Sequence, residues 1–440
     1  MRNKILAITI VVGLLSWASR HAQLDDAMIY ARYIANALAG QGLVFNPGEH
    51  INALTSPFYS YLLLACSWLL HGNVLLATTV VSAVAMIGSC ILAERLVPYA
   101  GLILASTGYF YWLVGMESTL FIFMLLLVTT LYLKERWDCL PVVLLLLMLT
   151  RFEGGALAVV VVWHMWKRRV FPRWTAYLPM SLLVSAYFWL NYHYYGQPLP
   201  QSTTAKIGQG LSGFWGAWPQ GFLRMEMHNI PKTVAWTPYI PLLALYFASK
   251  GLRAKRDSRL SGIILPSLGI ILAFYVLFNV PGYLWYAAPF VCFLLLYAAY
   301  GIPDTLLAHR VLAGVIFVAV ASNFFCLHRQ NGDDYYHLAG KWLSDNTSAD
   351  ARIESVEIGQ IGWYSHRYLI DILGLTTPKN AVHIAHRDAT SWLAEDKPDY
   401  IIVHKNAWIW ENVAVESPDY ELVDTQFPQV EILRRRLGTQ

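Results

Sequence analysis

The amino-acid sequence predicts an all-α polytopic membrane domain of about 11 transmembrane helices, followed by a small C-terminal α/β domain. Of 440 residues, 56% are hydrophobic and 14% charged, with mean hydropathy +0.43. A soluble chain carries about 25% charged residues. Apolar runs follow one another as far as residue 326, several approaching the ~20 residues that span a bilayer. Beyond Leu327 charges become dense and the pattern turns to alternating helix and strand. The 17 Trp and 26 Tyr suit a chain that crosses many interfaces. The net charge of +4 gathers in a few loops, and nothing in it points to nucleic acid.

Arg2 and Lys4 precede the first apolar run, 5–19. It reads as an uncleaved first crossing, because a small-residue cleavage site is only weakly written around Ser16 to Ala22. A polar loop, 20–57, follows. The runs 58–71, 74–93, 100–114 and 117–133 come next, then 139–150, 155–166, 174–190, 233–249, 260–280, 285–300 and 310–326. Lys167-Arg168-Arg169 and the cluster Lys250, Arg253, Lys255, Arg256, Arg259 mark the cytoplasmic side, with Lys134 and Arg136 as weaker markers. The loop 20–57, Arg151 to Gly154, the loop 191–232, Pro281 to Tyr283 and everything after Cys326 then face outward. Between residue 57 and Lys134 that orientation needs an odd number of crossings from four runs, so one of them does not cross; 58–71 and 100–114 are the shortest.

Residues 1–327 thus form the membrane domain and 328–440 a compact extracytoplasmic α/β domain. The latter is expected to hold a helix at Tyr335 to Leu343, a strand at Arg352 to Val356 and a loop at Gly359-Gln360-Ile361-Gly362. A helix near Thr390 to Ala394 and a strand at Tyr400 to Val403 complete it. The five cysteines (Cys66, Cys90, Cys139, Cys292, Cys326) lie within or at the ends of apolar runs, with no metal-type spacing and no disulfide expected.

The first loop carries the most chemistry. In Asp25-Asp26-Ala27-Met28-Ile29-Tyr30-Ala31-Arg32-Tyr33, Asp25, Ile29 and Arg32 share one face of a helix. A carboxylate can deprotonate an acceptor hydroxyl, and a guanidinium can neutralise a departing phosphate. The same aspartates also fit a plain helix start, Asp25 as N-cap and Asp26 in the first turn. Arg151-Phe152-Glu153-Gly154 sits in a short break between two apolar runs, where ionisable groups are expensive. Arg151 reads as a phosphate ligand, or else as half of a structural pair with Glu153. Asn191-Tyr192-His193-Tyr194-Tyr195-Gly196, running on to Thr203-Thr204-Ala205-Lys206, suits a headgroup or sugar platform, or an aromatic belt with a polar turn. Gly115-Met116-Glu117-Ser118 puts a lone Glu between apolar runs. No glycine-rich nucleotide loop, HExxH or GxSxG is written anywhere.

Taken in order, several of these pieces form one pattern. The Asp25–Tyr33 segment, Gly42-Leu43-Val44-Phe45-Asn46-Pro47-Gly48-Glu49 and Thr55-Ser56-Pro57 resemble the first loop of polytopic GT-C glycosyltransferases, above all the mycobacterial terminal arabinofuranosyltransferases and their relatives. Gly115–Ser118, Arg151–Gly154, Tyr194-Tyr195-Gly196-Gln197-Pro198-Leu199-Pro200, Gly359-Gln360-Ile361-Gly362-Trp363-Tyr364-Ser365 and Ile370-Asp371-Ile372-Leu373-Gly374-Leu375 continue it. The resemblance covers most of the chain. It implies a polyprenyl-phosphate-linked sugar donor and an acidic catalytic residue in the first outward loop. Asp25 becomes the catalytic candidate, with Asp26 second. Arg32, Arg151 and Lys206 become donor-phosphate ligands, and Glu117, Glu153, His193 and Tyr195 substrate-binding residues. Phe152 stands where the pattern has Pro, Asn52-Ala53-Leu54 where it has Glu-Gly-aromatic, and Gln201 where it has Asn. These departures bear on the sugar and acceptor more than on the reaction.

The resulting expectation is a bacterial inner-membrane glycosyltransferase with its active site and C-terminus in the periplasm. Its sugar, by resemblance, is D-arabinofuranose, and its acceptor a periplasmic glycan or a protein such as a pilin. A divalent cation (Mg or Ca) would help screen phosphate charge, although no ligand set here demands one. The alternative is a transporter or flippase of a lipid-linked sugar. Transporters tend to show matching halves, and these halves do not match.

Overall fold

The computed structural model describes residues 2–22, 24–223, 239–255, 258–329, 335–423 and 427–436. Residues 224–232 of the expected outward loop and 233–238 of the following apolar run lie outside them. Among the described residues, Val74–Leu96, Arg259–Leu277, Leu284–Gly301 and Leu306–His328 are long and apolar enough to cross a membrane. Pro57–Leu69, Ser118–Leu133 and Trp137–Thr150 are apolar but shorter. The last long helix turns Leu307, Phe317, Val318 and Phe325 outward, as a lipid-facing helix does.

The run 100–114 is not one helix. It breaks into Ala100–Ala105 and Tyr109–Trp112, each far too short to cross at about 1.5 Å per residue. Ser106, Thr107 and Gly108 occupy the break, and the Tyr111 and Tyr109 hydroxyls satisfy nearby carbonyls, donating to Ala105 (2.7 Å) and Leu284 (2.6 Å). Helices Leu140–Thr150 and Gly155–Lys167 form a hairpin through the turn Phe152–Gly154.

The C-terminal domain is built on a five-stranded sheet. Its strands are β1 (Arg352–Ser355), β2 (Tyr368–Asp371), β3 (Tyr400–His404), β4 (Tyr420–Val423) and β5 (Val430–Arg435). They lie in the order β2-β1-β3-β5-β4, with β1 parallel to both its neighbours and β5 antiparallel to both of its own. One face, with Ile353, Ile402 and Ile432, joins the same buried core as Tyr33 and Phe45 of the first loop. The other face, with Ile401, Val403 and Leu433, packs on Trp392 and Trp410.

The expected loop Gly359–Gly362 is instead part of a helix, Ile358–Ser365. Its two glycines read as loop residues but serve close packing. A side chain at Gly359 would strike the Asp25 carbonyl, and one at Gly362 would strike the Arg32 guanidinium. The helix can therefore lie flush on the first-loop helix Asp25–Leu38.

Candidate active site

The first-loop helix starts with Leu24 at the N-cap position, so Asp25 and Asp26 both fall in its first turn. Successive residues on a helix point about 100° apart, and the two carboxylates have different surroundings. Asp25 caps a different helix from its own. It accepts the backbone N–H of Gly359 (2.9 Å) and of Gln360 (2.7 Å), at the start of Ile358–Ser365. There it answers unpaired amides and a positive dipole end. Asp26 is half-buried and accepts no hydrogen bond among the described residues. Burial pushes its carboxyl above the usual range, and Lys206 opposes the rise.

Around Asp26, within electrostatic reach, stand Lys206, Glu117, Glu357 and the Tyr283 hydroxyl. The Lys206 ammonium lies 4.2 Å from the centre of the Tyr283 ring. It has no ion-pair partner among the described residues. Glu357 comes from the C-terminal domain, and burial, then Asp25 and Asp26, push its carboxyl well up. Asp26 thus sits where the first loop, the helix Gln201–Ser212, the turn before Leu284 and the C-terminal domain converge. No group of three or more His, Cys, Asp or Glu with metal-holding geometry is found among the described residues.

The other expected site residues divide clearly. Arg151 is clamped: Nη1 donates to Glu117, Nη2 donates to Glu153 at 2.8 Å, and the Tyr275 hydroxyl donates to the same Glu153 oxygen at 2.9 Å. Its guanidinium packs 4.9 Å from the Tyr286 ring. Glu117 Oε2 is buried without a hydrogen-bond partner among the described residues. Arg32 shares a face with Asp25, as its spacing requires, but that face meets the C-terminal domain. Its Nε donates to the Phe45 carbonyl (2.8 Å), and Nη2 to the Arg367 carbonyl (2.6 Å) and Asn46 Oδ1 (3.1 Å). Tyr195 uses its hydroxyl on the Leu43 carbonyl at 2.8 Å. His193 is exposed against Trp189. Asp26, Lys206 and Glu117 are brought together; Arg32, His193 and Tyr195 are not part of that group.

Glu357 and Tyr283 were not among the expected site residues. Both had a signal: Glu357 precedes the Gly359–Gly362 motif, and Tyr283 ends an expected outward loop. The Asp371 motif proves to be a tight turn. Its carboxylate accepts the N–H groups of Leu373 (2.8 Å), Leu375 (2.5 Å) and Thr376 (3.2 Å), yet burial still raises it to about 6.

Residues 327–438 match a family model described as a domain of unknown function (DUF8728). Over 317 residues the chain is 26% identical to the terminal beta-(1->2)-arabinofuranosyltransferase of Mycobacterium tuberculosis, covering 60% of this chain and 47% of that protein. The chain therefore spans about half the length of the curated relative it matches. The crystal structure of ArnT from Cupriavidus metallidurans bound to undecaprenyl phosphate superposes with a TM-score of 0.61 at 12% identity, over 98% of this chain and 97% of that one. The cryo-EM structure of the arabinofuranosyltransferase AftD from Mycobacteria gives 0.46 at 16% identity, over 100% of this chain and 40% of that one. The likeness to ArnT is one of fold: this chain has the GT-C architecture that its motifs suggested.

Proposed function

We propose that this GT-C chain is a membrane glycosyltransferase that moves a sugar from a polyprenyl-phosphate donor to an acceptor hydroxyl. The observation that carries the reading is a half-buried carboxylate, Asp26, within electrostatic reach of an ammonium, Lys206, at the junction of the two domains, the first without a hydrogen bond and the second without an ion-pair partner among the described residues. In the reaction Asp26 takes the acceptor proton. The acceptor oxygen bonds to the anomeric carbon, and the bond from that carbon to the phosphate oxygen breaks. The electron pair leaves with the polyprenyl phosphate, whose charge Lys206 stabilises.

Asp25, the stronger candidate on sequence, becomes the residue that seats the C-terminal domain beside the site, because both its oxygens are engaged there. Arg151 orders Glu117 and Glu153 rather than gripping phosphate, since two carboxylates already occupy its guanidinium. The undecaprenyl phosphate bound to ArnT supports a polyprenyl-phosphate donor. The mycobacterial relative supports arabinofuranose as the sugar. The Lys/Arg bias of the loops supports a site on the face away from the cytoplasm, and we propose a periplasmic glycan or protein as the acceptor there.

The test is sugar transfer from a panel of synthetic polyprenyl-phosphate sugars by purified chain in lipid nanodiscs, as wild type and as Asp26→Asn. Transfer by wild type, reduced at least a hundredfold in the variant, is expected. Movement of labelled lipid between leaflets with no transfer from any donor would replace this reading with a flippase.

A further inference from the structure

We propose that Gln209 and Ser202, flanking Lys206 on one helix, recognise hydroxyls of the donor sugar; this rests on the glycosyltransferase reading above.

The helix Gln201–Ser212 is wedged between the two domains. On one side Gly208 meets Ala381 and Ala385 of the C-terminal domain, and Gln201 Nε2 donates to the Gly374 carbonyl. On another side Gly210 lies against the backbone of Phe278 and Asn279, and the Asn279 side chain donates to its carbonyl at 3.3 Å. A third side is open, with Thr204, Ile207 and Leu211 exposed. Positions 202, 206 and 209 follow the i, i+4, i+7 rule and form one stripe. By helical geometry that stripe runs between the face on the C-terminal domain and the face on the membrane domain, and Lys206 in it lies over Tyr283, within reach of Asp26.

Two members of this stripe are polar, buried and without hydrogen-bond partners among the described residues. Gln209 is fully buried, and there neither its Oε1 nor its Nε2 has a hydrogen bond; Ser202 is 1% exposed and its Oγ has none there either. A buried amide with both ends unanswered is costly and uncommon. No other use of Gln209 is visible: its side chain neither caps the helix nor ties the two domains together. Along the axis Gln209 lies about 4.5 Å and Ser202 about 6 Å from Lys206. A sugar is bonded directly to its phosphate, so a phosphate held at Lys206 would bring the ring hydroxyls to this stripe. An amide offers both a donor and an acceptor, which suits a hydroxyl and fits neither a lipid tail nor a bare phosphate.

The test compares wild type, Gln209→Leu and Ser202→Ala, each as full-length purified chain. Two probes are used: undecaprenyl phosphate, and the same lipid carrying arabinofuranose. Affinity is read by ligand-induced thermal shift alongside the unliganded Tm. Gln209→Leu is expected to bind undecaprenyl phosphate as wild type does. The extra affinity conferred by the sugar should fall roughly 10- to 100-fold, and the unliganded Tm should hold or rise, because an apolar side chain relieves the unanswered amide. Ser202→Ala, which removes a single oxygen, should lose part of the same increment. A lowered Tm with unchanged discrimination would make Gln209 a structural partner and overturn the inference. Equal loss for both lipids would overturn it as well, assigning the residue to phosphate or lipid. A wild type that does not distinguish the two lipids would instead refute the donor assignment on which the inference rests.

Discussion

Exchanging Asp25 and Asp26 separately for asparagine should split two roles that adjacent residues of identical chemistry would otherwise share. At Asp25 the substitution leaves one acceptor oxygen where two backbone N–H groups, at 2.9 and 2.7 Å, now meet a charged carboxylate. One hydrogen bond to a charged group is lost, worth about 1.5–3 kcal/mol. The start of the helix Ile358–Ser365 should therefore loosen by about 1.5–3 kcal/mol, which speeds its amide hydrogen exchange roughly 10- to 150-fold. Turnover should fall less than tenfold, in step with that loosening. Asp26→Asn removes a base and no hydrogen bond among the described residues, so exchange should stay at the wild-type rate while turnover drops about 10²- to 10⁴-fold. The assay is exchange mass spectrometry on peptides spanning 358–365, paired with donor turnover on the same preparations. If Asp25→Asn abolishes turnover without faster exchange and Asp26→Asn keeps most of its activity, the assignment of the two residues is reversed.

Three further outcomes follow from the same geometry. Lys206→Met should weaken binding of undecaprenyl phosphate about 10- to 100-fold, with Lys206→Arg recovering part of it, as measured by ligand-induced thermal shift; a change below twofold would remove Lys206 from the phosphate site. Arg151→Met leaves Glu117 and Glu153 buried and unpaired, and should cost about 3–5 kcal/mol of stability. Adding Glu117→Gln and Glu153→Gln should return most of it in thermal unfolding, whereas a single variant as stable as wild type would show the cluster to be solvated. For Asp371, the folded-state value of about 6 lies above the ordinary 3.8. The native state therefore binds the proton more tightly, so this stabilisation is full below 3.8 and is lost as pH rises through 6. Acidifying from pH 7 to 5 should draw about 1 kcal/mol of stability from Asp371, read as slower exchange in β1 and β2, and Asp371→Asn should remove that part of the gain.

The four long apolar helices were legible because apolar length is a property of each segment alone. The broken run 100–114 was legible only as a problem of parity, since Ser106, Thr107 and Gly108 look unremarkable beside so many apolar neighbours. The face shared by Asp25 and Arg32 follows from helical spacing, but spacing does not say which body a face will meet. Here it meets a domain more than 300 residues away, as the Asp25–Gly359 and Arg32–Arg367 bonds show. Gly359 and Gly362 were misleading because glycine marks both a turn and a close approach, and only the partner distinguishes them. β2 ends in a buried Asp371, which masks its apolar pattern, and β5 ends in Arg434 and Arg435, which read as a charged tail. Gln209 could not have been singled out, because a polar residue on a polar helix reads as solvated until its neighbours are known.

Asp25 and Asp26 are joined by a single peptide bond, and this makes the site an interlock. Asp25 grips the outer domain while Asp26 faces Lys206. Any tilt of the start of this helix is passed directly from the carboxylate that holds the outer domain to the one beside Lys206.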